Sequence, residues 1–141
     1  MASKNILKLV RDGMKVSSNT KRFDRLTRNF EVVAATDTGK CTFQWKVEEE
    51  QLNGVGTLHG GFTAYVLDYS TTVALLAMGS KPGVSIDLGV SYLSAAKSGD
   101  IVTVETDCKK LGRTLAFLEA EFKVNEKLIA TGKHTKFVGG Q

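Results

Sequence analysis

The chain has 141 residues, the length of one folding domain, of which 42% are hydrophobic and 24% charged. This composition is typical of a globular protein and excludes intrinsic disorder, collagen-like repeats and a coiled coil. Lysine and arginine outnumber aspartate and glutamate by 19 to 15, a net charge of +4 that suits a phosphate-bearing partner without indicating nucleic acid.

The first predicted element is a short amphipathic helix over Ser3–Val16, with apolar residues about every four positions on one face. Its basic character leaves two alternatives open, a helix packed on the domain or a mitochondrial targeting segment. Asp12 and Gly13 favour the packed helix. We expect a cytoplasmic or mitochondrial location, or both, and the widely separated Cys41 and Cys108 favour a reducing compartment.

Period-two alternation predicts strands from Phe30 onward. Phe30–Ala35 and the alternating segment from Cys41 to Val47 flank the turn Asp37-Thr38-Gly39, which indicates a hairpin. Four later segments show the same strand pattern: Val84–Leu93, Ile101–Leu111, Thr114–Val124 and Leu128–Val138. Because the breaks between these four are short, we expect them to be antiparallel neighbours in chain order.

One long helix is predicted between the two groups of strands, over Leu58–Met78. It is apolar on nearly every side, so it belongs in a membrane or in the middle of a core. Asp68 is its single formal charge and lies near the centre, where a carboxylate costs ~3 kcal/mol in a bilayer. We therefore expect a sheet wrapped around a buried helix, with no integral membrane association.

Two features of this helix are candidates for chemistry. The carboxylate of Asp68 is isolated in apolar surroundings, which raises the cost of its charge unless the group is paired or solvated. The glycine-rich segment Asn53–Gly61 precedes the helix, where free N–H groups favour an anion or a developing oxyanion. Without catalysis, Asp68 would be a solvated or paired charge and Asn53–Gly61 a flexible loop with a helix cap.

The spacing of the two features constrains any shared chemistry. Gly60 and Asp68 are eight residues apart, roughly 12 Å along one helix axis. A single small carbonyl group cannot contact both within hydrogen-bond distance. If both residues are catalytic, the spacing predicts an active site shared by two chains of a homodimer.

The sequence lacks the residues that other kinds of catalytic or binding site require. A serine nucleophile would require a Gly-x-Ser-x-Gly elbow, which is absent from the sequence. With only His59 and His134 and no metal-ligand spacing, no metal site is predicted. Cys41 lies on an apolar strand face, and the basic residues of the second half lack the aromatic neighbours of a single-strand nucleic-acid binder.

The segment Asn53–Asp68 followed by Gly83–Asp87 resembles the hotdog-fold acyl-CoA thioesterases. The strings that carry the resemblance, which extends from about Phe30 to the C-terminus, are Lys46–Glu50, Gly56–Gly61, Thr114–Phe117 and Gly132–Lys136. The resemblance implies an α+β hotdog fold, in which an antiparallel β-sheet wraps around one long central helix, with a short N-terminal helix. It also implies a single domain over residues 1–141, with residues 1–29 as an N-terminal helical segment, and a homodimer that assembles into a homotetramer.

The resemblance also implies roles for individual residues. Asp68 would be the nucleophile or the general base that activates water, and the Gly60 N–H would polarise the thioester carbonyl. Asn53 and His59 would orient the carbonyl or the acid, and Ser85 would position the water. Contacts with coenzyme A would come from two segments: Tyr92, Leu93, Ser94, Ala95, Ala96 and Lys97, and Lys110, Leu111, Gly112, Arg113, Thr114 and Leu115. The implied reaction converts a medium- or long-chain fatty acyl-CoA to fatty acid and coenzyme A, and no cofactor is expected because coenzyme A is part of the substrate.

Three alternative functions remain open. The same fold could serve as a non-catalytic acyl-CoA sensor or scaffold, although the full set of implied catalytic residues argues against it. Hydration of an enoyl-CoA would call for a histidine a few residues from the acid, and Asp68 has none near it in sequence. Nucleic-acid binding is the least supported.

Overall fold

The computed structural model describes residues 3–139, so residues 1, 2, 140 and 141 of the predicted domain lie outside the described part. The helices are α1 (Ser3–Ser18) and α2 (Gly60–Ala77), and short 3-10 helices cover Phe23–Thr27 and Glu49–Gln51. The strands are β1 (Glu31–Ala35), β2 (Cys41–Lys46), β3 (Val84–Tyr92), β4 (Ile101–Leu111), β5 (Leu115–Val124) and β6 (Lys127–Phe137).

The strands form one antiparallel sheet in the order β1-β2-β4-β5-β6-β3. The β1–β2 hairpin and the succession β4-β5-β6 confirm the predictions from alternation and short breaks. The tight β5–β6 turn places Asn125 and Glu126 at φ values of 49° and 65°, the left-handed pair that a two-residue hairpin requires.

The prediction that β3 and β4 are neighbouring strands is wrong. Strand β3 pairs with β6 at the far edge of the sheet, while β4 lies between β2 and β5. The connection between β3 and β4 therefore crosses the end of the sheet instead of forming a hairpin. Alternation along a strand reports which face is buried and carries no information about the neighbouring strand, so this crossover was not visible in the sequence.

Helix α2 lies in the core against β3, β4, β5 and β6, as predicted. Buried apolar residues surround its axis because the sheet covers it on several sides: Phe62, Val66, Leu67, Val73, Ala74 and Leu75. The His59 ring caps its start by accepting a hydrogen bond from the Gly61 N–H at 2.8 Å. Within residues 3–139, no helix has the length and hydropathy needed to cross a bilayer.

Helix α1 packs on the domain through its apolar face. Ile6, Val10 and Met14 are buried in the same core cluster as α2, which corresponds to the packed-helix alternative. A methyl group added at Gly13 would lie 2.8 Å from the Leu76 side chain, so glycine allows the two helices to approach closely. The helix ends at Ser18, two residues beyond the predicted end.

Strand β3 is an unusually exposed edge. Val84, Ile86 and Tyr92 each expose more than half of their surface, at 67%, 57% and 56%. A bulge between Ser85 and Asp87 shifts the register with β6 by one residue. Much of the apolar face predicted for β3 is therefore exposed in a single chain.

We predict that Gly132→Ala destabilises the fold. The new methyl group would lie 2.4 Å from a side-chain carbon of fully buried Leu67, so α2 or β6 must shift. Overpacking of this kind costs about 1–3 kcal/mol of unfolding free energy, measurable by urea denaturation. Gly89→Ala on neighbouring β3 is the control, because no atom lies within 4 Å of the added methyl group. Equal stability of the two variants would contradict the prediction.

Candidate active site

The loop before α2 is held by Asn53. Its side-chain oxygen accepts hydrogen bonds from the N–H groups of Val55 and Thr57, both at 3.0 Å, and its amide nitrogen donates to the Thr57 hydroxyl at 2.9 Å. These bonds close the segment Asn53–Thr57 into a compact turn. The turn places His59 and Gly60 at the start of α2 with fixed orientation.

The start of α2 is accessible to a ligand. Gly60 is the first residue of the helix, so its N–H has no partner within the helix and points along the positive end of the helix dipole. The Gly60 carbonyl accepts a hydrogen bond from the Tyr92 hydroxyl at 2.6 Å, which joins the end of β3 to the helix start. His59 is exposed. This group of residues, Asn53, Thr57, His59, Gly60 and Tyr92, is called the helix-start cluster below.

Asp68 lies in a separate cleft, two turns further along α2. The cleft has a volume of about 350 Å³ and lies between α2, the start of β3 and the end of β6. The Asp68 side chain is 48% exposed, so its carboxylate is solvated and open to a ligand. Ser85, Thr72 and Lys136 line the same cleft.

A buried histidine, His134 on β6, organises this cleft. Its Nδ1 lies 2.8 Å from the Thr71 hydroxyl, and its Nε2 lies 2.8 Å from the Ser85 hydroxyl and 4.0 Å from Asp68 Oδ1. The Thr71 hydroxyl donates to the Leu67 carbonyl at 2.7 Å, so towards His134 it acts as the acceptor of a hydrogen bond from Nδ1–H. Nε2 is then the acceptor of the Ser85 hydroxyl.

His134 is neutral near pH 7. Burial lowers its pKa from 6.5 to about 4, because desolvation disfavours the imidazolium more than the Asp68 charge favours it. A neutral ring satisfies both hydrogen bonds, one as donor and one as acceptor. Ser85 is thereby fixed with its hydroxyl proton directed at His134, and its oxygen can accept a hydrogen bond from another group.

The Ser85–His134–Asp68 arrangement is not a nucleophilic triad. In a triad, the acid binds the ring nitrogen opposite to the one that faces the serine. Here Asp68 and Ser85 both lie on the Nε2 side, and Nδ1 is occupied by Thr71. The low pKa of His134 also makes it a weak base for a serine hydroxyl.

Lys136 places a buried amine near the half-exposed Asp68 carboxylate. Only 3% of the surface of Lys136 is exposed, and its Nζ donates a hydrogen bond to the Thr72 hydroxyl. Thr72 donates in turn to the Asp68 carbonyl at 2.7 Å. Burial lowers the pKa of Lys136, and the Asp68 carboxylate opposes that shift by favouring the ammonium form. Lys136 is therefore part of the electrostatic surroundings of Asp68.

The structure brings some predicted site residues together and separates others. Asp68 and Ser85 line one cleft, while Asn53, His59 and Gly60 form the helix-start cluster. Gly60 and Asp68 are eight positions apart within one continuous helix, so their axial separation of roughly 12 Å cannot close within a chain.

The two segments predicted to contact coenzyme A lie at opposite ends of α2. Segment 92–97 borders the helix-start cluster, because Leu58 N–H donates to the Ala96 carbonyl at 2.9 Å and Thr57 bridges to Lys97. Segment 110–115 contains the β4–β5 turn, and its residues 111–113 line a depression with Met78, Gly79 and Ser80 just beyond the end of α2. The predicted cations Lys97, Lys110 and Arg113 are exposed, whereas Ala96 is buried.

Other reactive groups do not form a site. Burial raises the pKa of the Cys41 and Cys108 thiols, which disfavours the nucleophilic thiolate. In the part of the chain between residues 3 and 139, no three histidine, cysteine or acidic side chains are grouped so as to hold a metal ion.

The sequence is similar to that of known proteins. Residues 55–130, which contain Asp68 and the helix-start cluster except Asn53, match the family model described as "Thioesterase superfamily". The chain is 40% identical over 133 residues to acyl-coenzyme A thioesterase 13 of Homo sapiens, covering 92% of this chain and 94% of the relative. The chain belongs to the thioesterase superfamily.

Solved structures of this superfamily show the same fold. Thioesterase superfamily member 2 of zebra fish superposes with a TM-score of 0.89 at 39% identity, covering 94% of this chain and 98% of that protein. A hypothetical thioesterase protein of Streptococcus pneumoniae, solved with coenzyme A, gives a TM-score of 0.75 at 28% identity over 80% of this chain and 90% of that protein. The predicted hotdog fold of this thioesterase is confirmed.

Sequence reasoning missed three residues around Asp68, of which Lys136 lines the cleft and His134 and Thr71 lie behind it in the hydrogen-bond chain to Ser85. His134, Thr71 and Lys136 lie 66, 3 and 68 positions from Asp68, and only the pairing of β6 with β3 brings the first and last to the cleft. One signal was present: alternation places His134 and Lys136 on the same face of β6, inside a strand whose other members on that face are apolar or small. A buried histidine at such a position requires hydrogen-bond partners in the core.

We predict a pH-dependent loss of stability due to His134. Because its pKa is about 4 in the folded chain and about 6.5 when unfolded, the unfolded chain binds more protons between these values and stability falls as pH falls. Between pH 6.5 and about pH 5 the loss is about 2 kcal/mol, at 1.36 kcal/mol per pH unit. Urea denaturation at several pH values measures it.

His134→Gln is the control, because glutamine keeps a donor and an acceptor but does not titrate. Its stability is expected to change less over the same pH range, even though its stability at pH 7 is lower. Parallel pH profiles for the two proteins would contradict the assignment of a neutral, buried His134.

Proposed function

We propose that this thioesterase hydrolyses fatty acyl-CoA to a free fatty acid and coenzyme A. The observation that carries the proposal is the half-exposed Asp68 carboxylate in a cleft where neutral His134 fixes Ser85 beside it. The name of the human relative, acyl-coenzyme A thioesterase 13, supports the substrate class. Medium or long acyl chains are our expectation for the preferred length.

In the proposed reaction, Asp68 acts on the carbonyl carbon directly or through water. As general base it removes a proton from a water molecule whose oxygen bonds to the thioester carbon. Ser85 supports this water as an acceptor, since its own proton is directed at His134. Collapse of the intermediate breaks the C–S bond, and the coenzyme A thiolate takes up a proton. As nucleophile, Asp68 would instead form a mixed anhydride that water hydrolyses to the same products.

The proposed oxyanion donor is the Gly60 N–H. The negative charge that develops on the carbonyl oxygen is stabilised by an N–H without an intrahelical partner at the positive end of α2. Asn53 supports this role by fixing the loop, and His59 by capping the helix start, so both act as positioning residues in the proposal. In this proposal the side chains of Asn53 and His59 do not bind the thioester carbonyl themselves, as the resemblance had implied they could.

We propose that two chains of a homodimer share each active site, so that Gly60 of one chain faces Asp68 of the other. The fixed separation along α2 supports this arrangement. So does the edge of β3, where exposed Val84 and Ile86 and unpaired backbone groups can pair with a second copy. Further pairing of dimers into a tetramer, and contacts of coenzyme A with segments 92–97 and 110–115, belong to the same proposal.

Asp68→Asn is expected to reduce hydrolysis of palmitoyl-CoA by about 100-fold or more, because loss of a general base typically costs 10²–10⁴-fold. Released thiol measures the rate, and a thermal melt checks the fold. Asp37→Asn, in an exposed turn, is the matched control and should keep full activity. Wild-type protein that binds palmitoyl-CoA without releasing thiol would contradict the proposed function and favour a sensor.

A pair of variants at Gly60 tests the shared site. Gly60→Pro removes the N–H at a position where proline is tolerated, and extended His59 (φ −65°, ψ 131°) suits the residue before proline. Gly60→Ala adds a side chain near Tyr92 but keeps the N–H, so it is the control. We expect Gly60→Pro to lose about 10²–10³-fold in rate and Gly60→Ala much less.

Complementation then distinguishes a shared site from a single-chain site. Mixing equal amounts of Asp68→Asn and Gly60→Pro chains through mild denaturant and refolding gives half mixed dimers, each with one intact site if sites are shared. The mixture should recover about a quarter of the wild-type rate. If both residues acted within one chain, no recovery would occur.

A further inference from the structure

The positive charge of the chain is concentrated in its first 29 residues. This segment has eight lysines and arginines against Asp12 and Asp24, while residues 30–141 have eleven against thirteen acidic residues. The segment therefore has a net charge of +6 and the remainder −2, which together give the overall +4. The two segments predicted to contact coenzyme A carry +3 together, half the net charge of residues 1–29.

Helix α1 presents four of these cations as a stripe. Lys4, Lys8, Arg11 and Lys15 recur at intervals of four, three and four residues, which places them along one side of a helix. The opposite side is fixed, because Ile6, Val10 and Met14 are buried in the core. The stripe is therefore held on the surface in one orientation instead of lying on a free tail.

The stripe borders a groove that contains further positive charge. Arg11 and Lys15 line a groove of about 440 Å³ between α1 and strand β1, and Arg28 lines it from the other side. Glu31 is the one acidic residue in its lining. The stripe and the groove are together called the basic face below.

Most of these cations have no internal partner. All eight are exposed, and within residues 3–139 only two of them lie within 4.0 Å of a carboxylate, Lys8 with Asp12 and Arg28 with Glu48 and Glu50. Their charge is therefore available to an external anion. A field of one sign over one face attracts an extended anionic partner more than a single small ion.

Exposed apolar side chains accompany the basic face. On α1, Leu9 and Val16 expose 39% and 78% of their surface, on the flank of the helix between the stripe and the buried side. Phe23, in the following 3-10 helix, exposes 59%. Basic residues next to a few exposed apolar groups fit the phosphate groups and the acyl boundary of an anionic bilayer. Duplex nucleic acid would match the charge but not the apolar groups.

We propose that the basic face docks this protein on the surface of membranes that contain anionic lipids. The inference goes beyond the proposed hydrolysis and does not rest on it, since it concerns residues outside the candidate active site. Docking would be peripheral and electrostatic, with about fivefold in affinity for each lysine or arginine near the surface. It would place the enzyme where amphiphilic acyl chains concentrate.

Vesicle sedimentation tests the proposal. The full chain is mixed with vesicles of phosphatidylcholine alone or with about 30% phosphatidylserine, near physiological salt where charges act over about 8 Å. We expect binding to the anionic vesicles only, weakened by added salt. Equal binding to both kinds of vesicle, or none to the anionic ones, would overturn the proposal.

Two fourfold variants locate the surface. Lys4→Gln, Lys8→Gln, Arg11→Gln and Lys15→Gln together should weaken binding by about 600-fold, at about fivefold for each cation. The control removes the same charge elsewhere, by Lys40→Gln, Lys46→Gln, Lys81→Gln and Lys127→Gln, and should retain most of the binding. Equal loss in both variants would show that net charge alone is responsible, and would overturn the assignment to the basic face.

Two readouts separate the remaining outcomes. Hydrolysis of a short-chain, water-soluble acyl-CoA without vesicles should be the same for the α1 variant and wild type. A wild-type protein without hydrolysis that still binds anionic vesicles would overturn the proposed function and leave membrane docking standing. Tighter binding to a short DNA duplex than to the anionic vesicles at equal salt would overturn docking on membranes in favour of nucleic acid.

Discussion

The straightness of α2 is the constraint on which the rest of the molecule depends. A buried helix of 18 residues in the core of the sheet cannot bend to bring its first turn to its middle. The helix therefore provides two separate chemical features, an open N-terminus and a carboxylate two turns later. The same sheet that buries the helix leaves β3 at an edge. The fold therefore separates the two features that the proposed reaction combines, and it exposes a strand through which the proposed second copy would pair.

The Asp68 cleft shows how a core tolerates polar groups beside a reactive one. Thr71, His134 and Ser85 form a chain of hydrogen bonds in which each donor has a defined acceptor, so a buried imidazole costs little while it stays neutral. Because the ring is neutral and held on both sides, it acts as a structural support for Ser85. In the proposed reaction the chemistry is carried out by the solvated Asp68 carboxylate, whose charge costs little because water reaches it.

Much of the architecture was predictable because it depends on local pattern. The apolar surface of α2 indicated a buried helix, and the alternation and short turns indicated β4, β5 and β6 as neighbours. The position of β3 was not predictable, since strand order depends on long-range packing. For the same reason Asp68 and the loop before α2 were identified from sequence, whereas His134 and Lys136 were missed: both come from a strand more than 60 residues away. The net charge of +4 was also misleading, because residues 1–29 carry +6 and the remainder of the chain carries −2.

The exposed edge of β3 has a consequence for solubility. A nine-residue strand with free backbone groups and exposed Val84 and Ile86 is a template on which any extended chain can add, including unfolded or partly folded copies of itself. Inward-facing charges and prolines, which commonly protect such edges, are missing from this strand except for Asp87 at the bulge. If the proposed dimer forms through β3, it covers this template, so substitutions that weaken the dimer are expected to promote aggregation even where each chain folds normally.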